Sequence, residues 1–374
     1  MIVMALDHVR DFFHQGAMSF SPEDLSRTTT ALFLTRWITH FCAPVFMFTA
    51  GLGAFLWLTR GHTKSELSRF LWTRGLWLIF LDVVVSRFGM NFSLLEGPVI
   101  LNVLWALGWS MVILAALIHV PIRVLAPLSI AMIALHNLAD PINAGQFGAF
   151  NWVWNFLHQS GMLPVDGAVV IVAYPVVPWF AVMAAGFCFG PVFSLDPFER
   201  RRWMIRIGAG MILAFLVLRG INIYGDPQPW SNKFPGMTAL SFLRSTKYPP
   251  SLDFLLMTLG PALLVLAALD RTTLSRANPL IVFGRVPLFY FILHIYLAHL
   301  IAIPLALIRY GHAGFVFGPA PSMGGSAPPY PADYGYSLGV VYILWIAVVA
   351  LLYPLCLWFS RVKERRKDWW LSYV

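Results

Sequence analysis

Long apolar segments constrain the fold of this chain more than any other feature. A helix needs about 20 mostly apolar residues to cross the roughly 30 Å of hydrocarbon in a bilayer. Segments near or above that length cover residues 30–58, 75–92, 99–120, 122–138, 167–193, 206–224, 251–269, 279–308 and 337–360. Only 11% of the residues are charged, against about 25% in ordinary soluble domains. The sequence therefore predicts an all-α polytopic membrane protein and excludes a soluble enzyme.

A further apolar element, residues 1–13, opens the chain and is too short to cross a bilayer alone. At about 1.5 Å rise per residue it covers only about 20 Å. It has neither the basic start nor the small-residue cleavage site of a signal peptide. We therefore expect the outer part of a truncated first helix, which gives about ten transmembrane helices in total. They would form one membrane domain over residues 1–374.

The distribution of basic residues predicts the orientation. Most of the 26 Lys and Arg residues fall in one alternating set of loops. These are Arg60, Lys64, Arg69, Arg74, Arg123, Arg200, Arg201, Arg202, Arg206, Arg271, Arg276, Arg285, Arg361, Lys363, Arg365, Arg366 and Lys367. Cytoplasmic loops carry such an excess, so we expect this set and both termini to be cytoplasmic. The alternation accounts for the net charge of +9, and no nucleic-acid partner is needed.

Several chemical motifs are missing from the sequence. Cys42, Cys188 and Cys356 lie in apolar runs without a CxxC pattern, which predicts neither a disulfide framework nor a zinc site. Phosphate-binding GxxxxGK[ST] and metalloprotease HExxH motifs are also absent. These features disfavour ATP-driven transport and zinc proteolysis, and we expect no metal.

Ionisable side chains at membrane depth are the informative residues, because each costs several kcal/mol unless it is paired or lines a cavity. They are Asp7, His8, Arg10, Asp11, Arg36, His40, Asp82, Arg87, His136, Asp140, Arg219, Lys247, Asp253, Arg285, His294 and His299. In the predicted orientation nearly all lie in the outer halves of their helices. Arg285 lies at an inner end and His294 near the middle. This distribution predicts a polar cavity that opens outward and continues toward the cytoplasm.

Some of these residues have a structural interpretation that we favour. Asp7, Arg10 and Asp11 recur at helical spacing and can neutralise one another as an ion-pair cluster. Asp82 and Arg87 are five residues apart, too far for a helical pair, and are also interpreted as structural. The pattern Gly186-x-x-x-Gly190 predicts a close contact between helices.

Histidines in apolar helices favour a functional site. Histidine exchanges a proton near neutral pH, and His8, His40 and His294 are hard to explain by packing alone. For Arg36 the functional interpretation and snorkelling to the outer interface have equal weight.

Several segments resemble one enzyme family. They are residues 4–13 (MALDHVRDFF), 31–44 (ALFLTRWITHFCAP), 104–109 (LWALGW), 246–252 (TKYPPSL) and 283–290 (FGRVPLFY). Together they resemble the bacterial branch of the heparan-α-glucosaminide N-acetyltransferase catalytic-domain family, over essentially the whole chain. The resemblance implies an integral membrane acetyltransferase, which we place in the bacterial cytoplasmic (inner) membrane. Acetyl-CoA would enter from the cytoplasm, and a cell-surface sugar or another amine or hydroxyl acceptor would wait on the outer side.

The resemblance also implies roles for the candidate residues. His8 matches the position of a functional histidine in the wider group of membrane acyltransferases, so it is the predicted base. Asp7 or Asp11 would orient it. Because acyl transfer needs a base for the nucleophile's proton, the assignment is chemically coherent. An acetyl-histidine intermediate remains an open alternative.

The other candidates would hold the two substrates. His40 and Arg36 would bind the acceptor or the carbonyl oxyanion. His294 would complete the cavity, and Arg285 would attract the CoA phosphates.

Two alternatives stay open on the sequence alone. A transporter or flippase would also carry ionisable groups at mid-membrane, without any chemistry. A purely structural membrane partner is disfavoured by the cost of burying so many charges. The lipid bilayer is the one partner required in every case, and an oligomer is compatible with the sequence.

Overall fold

The structure is a computed structural model that describes residues 1–17, 19–94, 97–165, 168–318, 330–366 and 368–374. It is mostly helical, as predicted. In chain order the helices are α1 (Ile2–Phe13), α2 (Thr30–Thr39), α3 (Cys42–Leu58), α4 (Lys64–Phe80), α5 (Arg87–Asn91), α6 (Val103–Leu117), α7 (Ile122–Leu135), α8 (Asn151–Leu157), α9 (Trp179–Phe189), α10 (Pro197–Ile221), α11 (Thr238–Leu243), α12 (Leu252–Leu269), α13 (Pro279–Arg285), α14 (Pro287–Tyr310) and α15 (Leu338–Arg365).

A small sheet accompanies the helices. Its strands are β1 (Val99–Leu101), β2 (Gly161–Val165) and β3 (Ala168–Val172), in the order β1-β3-β2. β1 pairs with β3 in parallel, with Val99 opposite Val170, and β2 pairs with β3 antiparallel, with Leu163 opposite Val170. The all-α prediction is therefore correct for most of the chain and misses this sheet.

Six helical segments in the described residues are long and apolar enough to cross a membrane. They are Thr30–Leu58, Ile122–Ala139, Pro197–Ile221, Leu252–Leu269, Pro287–Tyr310 and Leu338–Arg365. The prediction of about ten spans is not confirmed, and the orientation of the termini stays a prediction.

Two of the expected spans are interrupted by strands. The segment 99–120 consists of β1 followed by the 15-residue helix α6. In the segment 167–193, β3 precedes α9, which begins only after Pro178. Continuous apolar runs occur in both buried strands and membrane helices, so apolarity alone does not separate the two.

Local signals divide two other expected spans. The helix predicted over 75–92 begins earlier, at Lys64, because Thr63 and Glu66 form a capping box there. It continues through a π-helical segment, Leu81–Ser86, into α5. The span over 279–308 breaks at Pro287, which lacks a backbone N–H and begins α14 directly after α13.

The chain divides into two compact units, each built from separate stretches of sequence. The first unit contains Met1–Cys42, Val84–Pro98 and Thr273–Val374. The second unit contains Ala43–Val83 and Val99–Thr272. The single membrane domain predicted from the sequence stays a prediction.

The first unit is built around α1 and α14. α1 packs against α2, α14 and α15, and α13 packs against both α14 and α15. Backbone hydrogen bonds hold the carboxyl end of α1: Tyr336 N donates to Phe13 O at 2.7 Å, and Gln15 N donates to Tyr336 O at 3.0 Å. The segment that leads into α15 is therefore hydrogen-bonded to the carboxyl end of α1.

Glycines allow helices of the second unit to approach closely. Gly75 of α4 and Gly108 of α6 each face the other's carbonyl oxygen, so a Cβ at either position would collide with backbone. The helix contact predicted from the Gly186-x-x-x-Gly190 pattern is confirmed. Gly186 abuts the Phe48 backbone of α3, and Gly190 abuts the Phe55 ring. Small residues permit such packing where no hydrophobic force drives helices together.

Gly51 and Gly53 on α3 provide a matched test of this packing. A Cβ at Gly51 would collide with the Met183 carbonyl of α9, whereas a Cβ at Gly53 would meet open space. We expect Gly51→Ala to destabilise the protein by about 1–3 kcal/mol through overpacking. Gly53→Ala should be neutral or slightly stabilising, because alanine favours the helix. Melting temperatures in detergent compare the two, and equal melting temperatures would contradict the close approach.

Candidate active site

Helix α1 carries the predicted ion-pair cluster, and the structure confirms it. Arg10 Nη2 donates to Asp7 Oδ1 at 3.0 Å and to Asp11 Oδ1 at 2.5 Å. The opposite face buries Ala5, Val9 and Phe12 in the core, so α1 is amphipathic. The polar residues of the helix are thereby held on one side.

Arg36 of α2 joins the same cluster. Its Nη1 donates to Asp7 Oδ1 at 2.7 Å and to Oδ2 at 2.5 Å. Arg36 and Arg10 are 8% and 4% exposed. A buried charge that loses its partner is strongly destabilising. Asp7 therefore ties α1 to α2, and Arg36 does not snorkel to an interface.

His8 of α1 and His294 of α14 come together, as the site prediction requires. Their ring centroids are 5.1 Å apart and the ring planes are inclined by 54°. His8 is half-buried, whereas His294 is fully buried. The structure thus places a half-buried imidazole next to a fully buried one.

The hydrogen bonding of His294 sets its tautomer. Nδ1 lies 3.0 Å from the Tyr290 carbonyl, which can only accept, so Nδ1 carries the hydrogen. In the neutral ring, Nε2 then presents its lone pair. Nε2 is buried and has no hydrogen-bond partner among the described residues.

Aromatic rings pack around the histidine pair. The Tyr290 ring stacks on His294 at 5.5 Å between centroids, with planes 13° apart. The Phe291 ring meets His8 edge-on at 6.4 Å and His294 at 5.6 Å. These contacts fix both imidazoles in an apolar surrounding.

His40 directly follows α2, and its side chain pairs with Glu23, a residue that the sequence did not indicate. Its Nε2 lies 3.1 Å from Oε1 of Glu23, and the histidine side chain is 1% exposed. Glu23 lies in the irregular segment between α1 and α2, where no periodicity indicates a partner. The contact gives His40 a carboxylate neighbour.

Arg285, the predicted phosphate ligand, ends α13 and forms an ion pair with Glu364 of α15. Arg276 lies 3.8 Å from the same carboxylate. The Arg285 side chain is 40% exposed. It is therefore accessible to a ligand, but a phosphate would have to compete with Glu364.

Two other histidines of the first unit have structural roles. His299 places both ring nitrogens on carbonyls, 2.8 Å from Gly89 O and 2.7 Å from Val316 O. Burial, followed by the charge of Arg10, lowers the pKa of His14. His14 is therefore neutral near pH 7, and its Nδ1 accepts from Gly16 N at 3.0 Å.

The second unit holds its own polar network, and it contains the remaining predicted ionisable groups of α10 and α12. Arg219 lies 4.0 Å from Asp226 and 3.8 Å from Asp253. It also donates to four carbonyls, those of Gln228, Ser241, Phe242 and Arg244. This network fixes the loops between the two helices.

Three more of the ionisable residues lie in polar contacts of the second unit. Asp140 pairs with His158 at 2.9 Å, and Nε2 of His136 lies 2.9 Å from the Pro250 carbonyl oxygen. The structural interpretation of Asp82 is supported, since Oδ2 accepts from Asn102 N at 2.7 Å and so caps α6. No cluster of three potential metal ligands occurs in the part of the chain that the structure describes.

Six membrane-length apolar helices within the described residues define this chain as an integral membrane protein of the polytopic class. Residues 12–225 match the family described as Heparan-alpha-glucosaminide N-acetyltransferase, catalytic. The match covers more than half of the chain, which therefore belongs to this family, as the sequence motifs indicated. Membership makes the protein a transferase-type enzyme, in the class of membrane acetyltransferases. No curated protein matches the chain.

The ion-pair cluster can be tested by removing single charges. Asp7→Asn leaves Arg36 and Arg10 without their shared carboxylate and should cost on the order of 3 kcal/mol of stability. Asp11→Asn should cost less, because Arg10 keeps Asp7. The control is Glu199→Gln, which breaks an exposed pair with Arg202 and should cost about 0.5 kcal/mol or less. If all three variants had the same melting temperature in detergent, the cluster would not hold α1 to α2.

Proposed function

We propose that this protein transfers an acetyl group from cytoplasmic acetyl-CoA to a sugar, or another amine or hydroxyl acceptor, on the outer side of the membrane. The observation that carries the proposal is the His8–His294 pair, 5.1 Å between rings, in a chain of an acetyltransferase family. The outer-side acceptor follows from the predicted orientation, and the bacterial cytoplasmic membrane follows from the resemblance to the bacterial branch of the family.

His8 is the proposed base. It is the less buried member of the histidine pair, since His294 is 0% exposed and His8 is half-buried. It would take the proton of the attacking amine or hydroxyl as the new C–N or C–O bond forms. The C–S bond of the thioester then breaks, and the CoA thiolate leaves and is protonated.

Asp7 and Arg36 act in this proposal by positioning. Asp7 is held by two arginines, so its contribution to His8 is to fix α1 at the site rather than to relay a proton. His40, with Glu23 beside it, is the proposed binding group for the acceptor, because a carboxylate–imidazole pair can hold an amine or hydroxyl.

The donor end of the proposed site is Arg285. A phosphate accepts charge-assisted hydrogen bonds from arginine, and the CoA molecule carries several phosphate charges against the single charge of the Glu364 carboxylate that now pairs with Arg285. CoA phosphates would therefore displace Glu364. Whether acetyl passes directly to the acceptor or first to a histidine nitrogen is open in this proposal.

The test is transfer of label from [14C]acetyl-CoA to a panel of amino sugars by the purified protein in detergent. His8→Asn keeps a hydrogen-bonding side chain that cannot take a full proton. We expect turnover to fall about 10²–10⁴-fold in this variant, with acetyl-CoA binding retained.

His299→Gln is the matched control, because both ring nitrogens of His299 lie next to backbone carbonyl oxygens. It should lower the melting temperature while activity per folded molecule is kept. Full turnover in His8→Asn would overturn the assignment of the base. Passage of acetyl-CoA across the membrane of sealed vesicles that contain the protein, without acetylated product, would instead indicate a transporter.

A further inference from the structure

Tyr290 carries a buried hydroxyl that the proposed reaction has not used. The residue is 0% exposed, and its hydroxyl has no hydrogen-bond partner among the described residues. Other tyrosines of the same unit are satisfied: Tyr296 OH donates to Val85 O at 2.9 Å, and Tyr334 OH donates to Phe12 O at 2.7 Å. An unsatisfied hydroxyl in an apolar interior is destabilising and calls for a physical reason.

A second unsatisfied atom lies beside it. Nε2 of His294 is also buried without a partner, and the two rings are stacked at 5.5 Å. Tyr290 and His294 are one turn apart on α14, and the backbone carbonyl of Tyr290 fixes the His294 tautomer. The Tyr290 hydroxyl is therefore an unused donor, and Nε2 of the stacked His294 ring is an unused acceptor. A ligand with a carbonyl oxygen would satisfy the phenolic donor.

The position of Tyr290 along α14 indicates which substrate it would meet. It lies nearer than His294 to the amino end of the helix, where Arg285 precedes Pro287. In the proposed function this is the donor side, because Arg285 is the phosphate end. An acetyl thioester that extends from Arg285 toward His8 would pass Tyr290 before it reaches the imidazoles.

Resting on the proposed function, we infer that the Tyr290 hydroxyl is a catalytic hydrogen-bond donor to the carbonyl oxygen of the acetyl thioester. As the acceptor attacks the carbonyl carbon, negative charge collects on that oxygen, and the hydroxyl stabilises it without transferring its proton. The acceptor's proton goes to His8. The oxyanion then collapses, the C–S bond breaks, and CoA leaves with the electron pair on sulfur.

Removal of a single atom tests this role. Tyr290→Phe should lower kcat for acetyl transfer about 10²–10³-fold, as loss of one oxyanion donor does elsewhere, with little change in the KM for acetyl-CoA. The melting temperature should be unchanged or higher, because the variant loses an unsatisfied buried hydroxyl. A residue used only for packing would show the same thermal effect without any loss of kcat.

Tyr296→Phe is the matched control on the same helix. It removes the same atom, but here the hydroxyl serves the Val85 carbonyl. We expect a lower melting temperature and an unchanged kcat per folded molecule, the reverse of Tyr290→Phe. Equal kcat in wild type and Tyr290→Phe would overturn the inference and leave the proposed function standing.

An infrared measurement gives a second readout that needs no turnover. Acetyl-CoA labelled with ¹³C at the carbonyl should show a lower C=O stretching frequency when bound to the wild type, and the shift should disappear in Tyr290→Phe. A shift that persists in Tyr290→Phe would contradict the contact. If the wild type bound and shifted the thioester but acetylated nothing, the proposed function would fail while the Tyr290 contact would be supported.

Discussion

The first unit depends on the ion pairs that the half-buried carboxylate of Asp7 forms. It accepts hydrogen bonds from Arg10 on its own helix and from Arg36 on α2, and both arginines are almost completely buried. Loss of a partner of a buried charge is strongly destabilising, so removal of Asp7 would affect both arginines, although Arg10 also contacts Asp11. Since His8 is the next residue along α1, the same ion pairs that hold the helix also decide where that imidazole lies. Asp7, which stabilises the unit, and His8, the proposed base, are therefore neighbours in the sequence.

α14 supplies the other half of the site by a different principle. His294 on this helix is held by a backbone carbonyl and a stacked ring, not by a charge. This arrangement contains two buried polar atoms, the Tyr290 hydroxyl and Nε2 of His294, that have no hydrogen-bond partner among the described residues. Each buried unsatisfied polar atom calls for a physical reason, and contact with a ligand is one such reason. In our account they are the groups that a thioester completes.

Local sequence patterns predicted the parts of the site that lie on helices. Helical spacing identified the cluster of Asp7, Arg10 and Asp11, and isolated histidines in apolar helices identified His8 and His294. Glu23 was missed because it lies in an irregular segment, and its pairing with His40 is set by tertiary structure. The membrane count failed for a similar reason: hydropathy does not register β1, β3 or the break at Pro287.

The central claim is that acetyl crosses from one side of the membrane to the other. The most direct measurement uses sealed vesicles containing the protein, with [14C]acetyl-CoA added only outside and amino sugars trapped inside. The account predicts acetylated sugar in the lumen of vesicles whose protein carboxyl terminus faces outward, and no acetyl-CoA there. Label that appears only on acceptors on the same side as acetyl-CoA, or intact acetyl-CoA inside the vesicles, would contradict it.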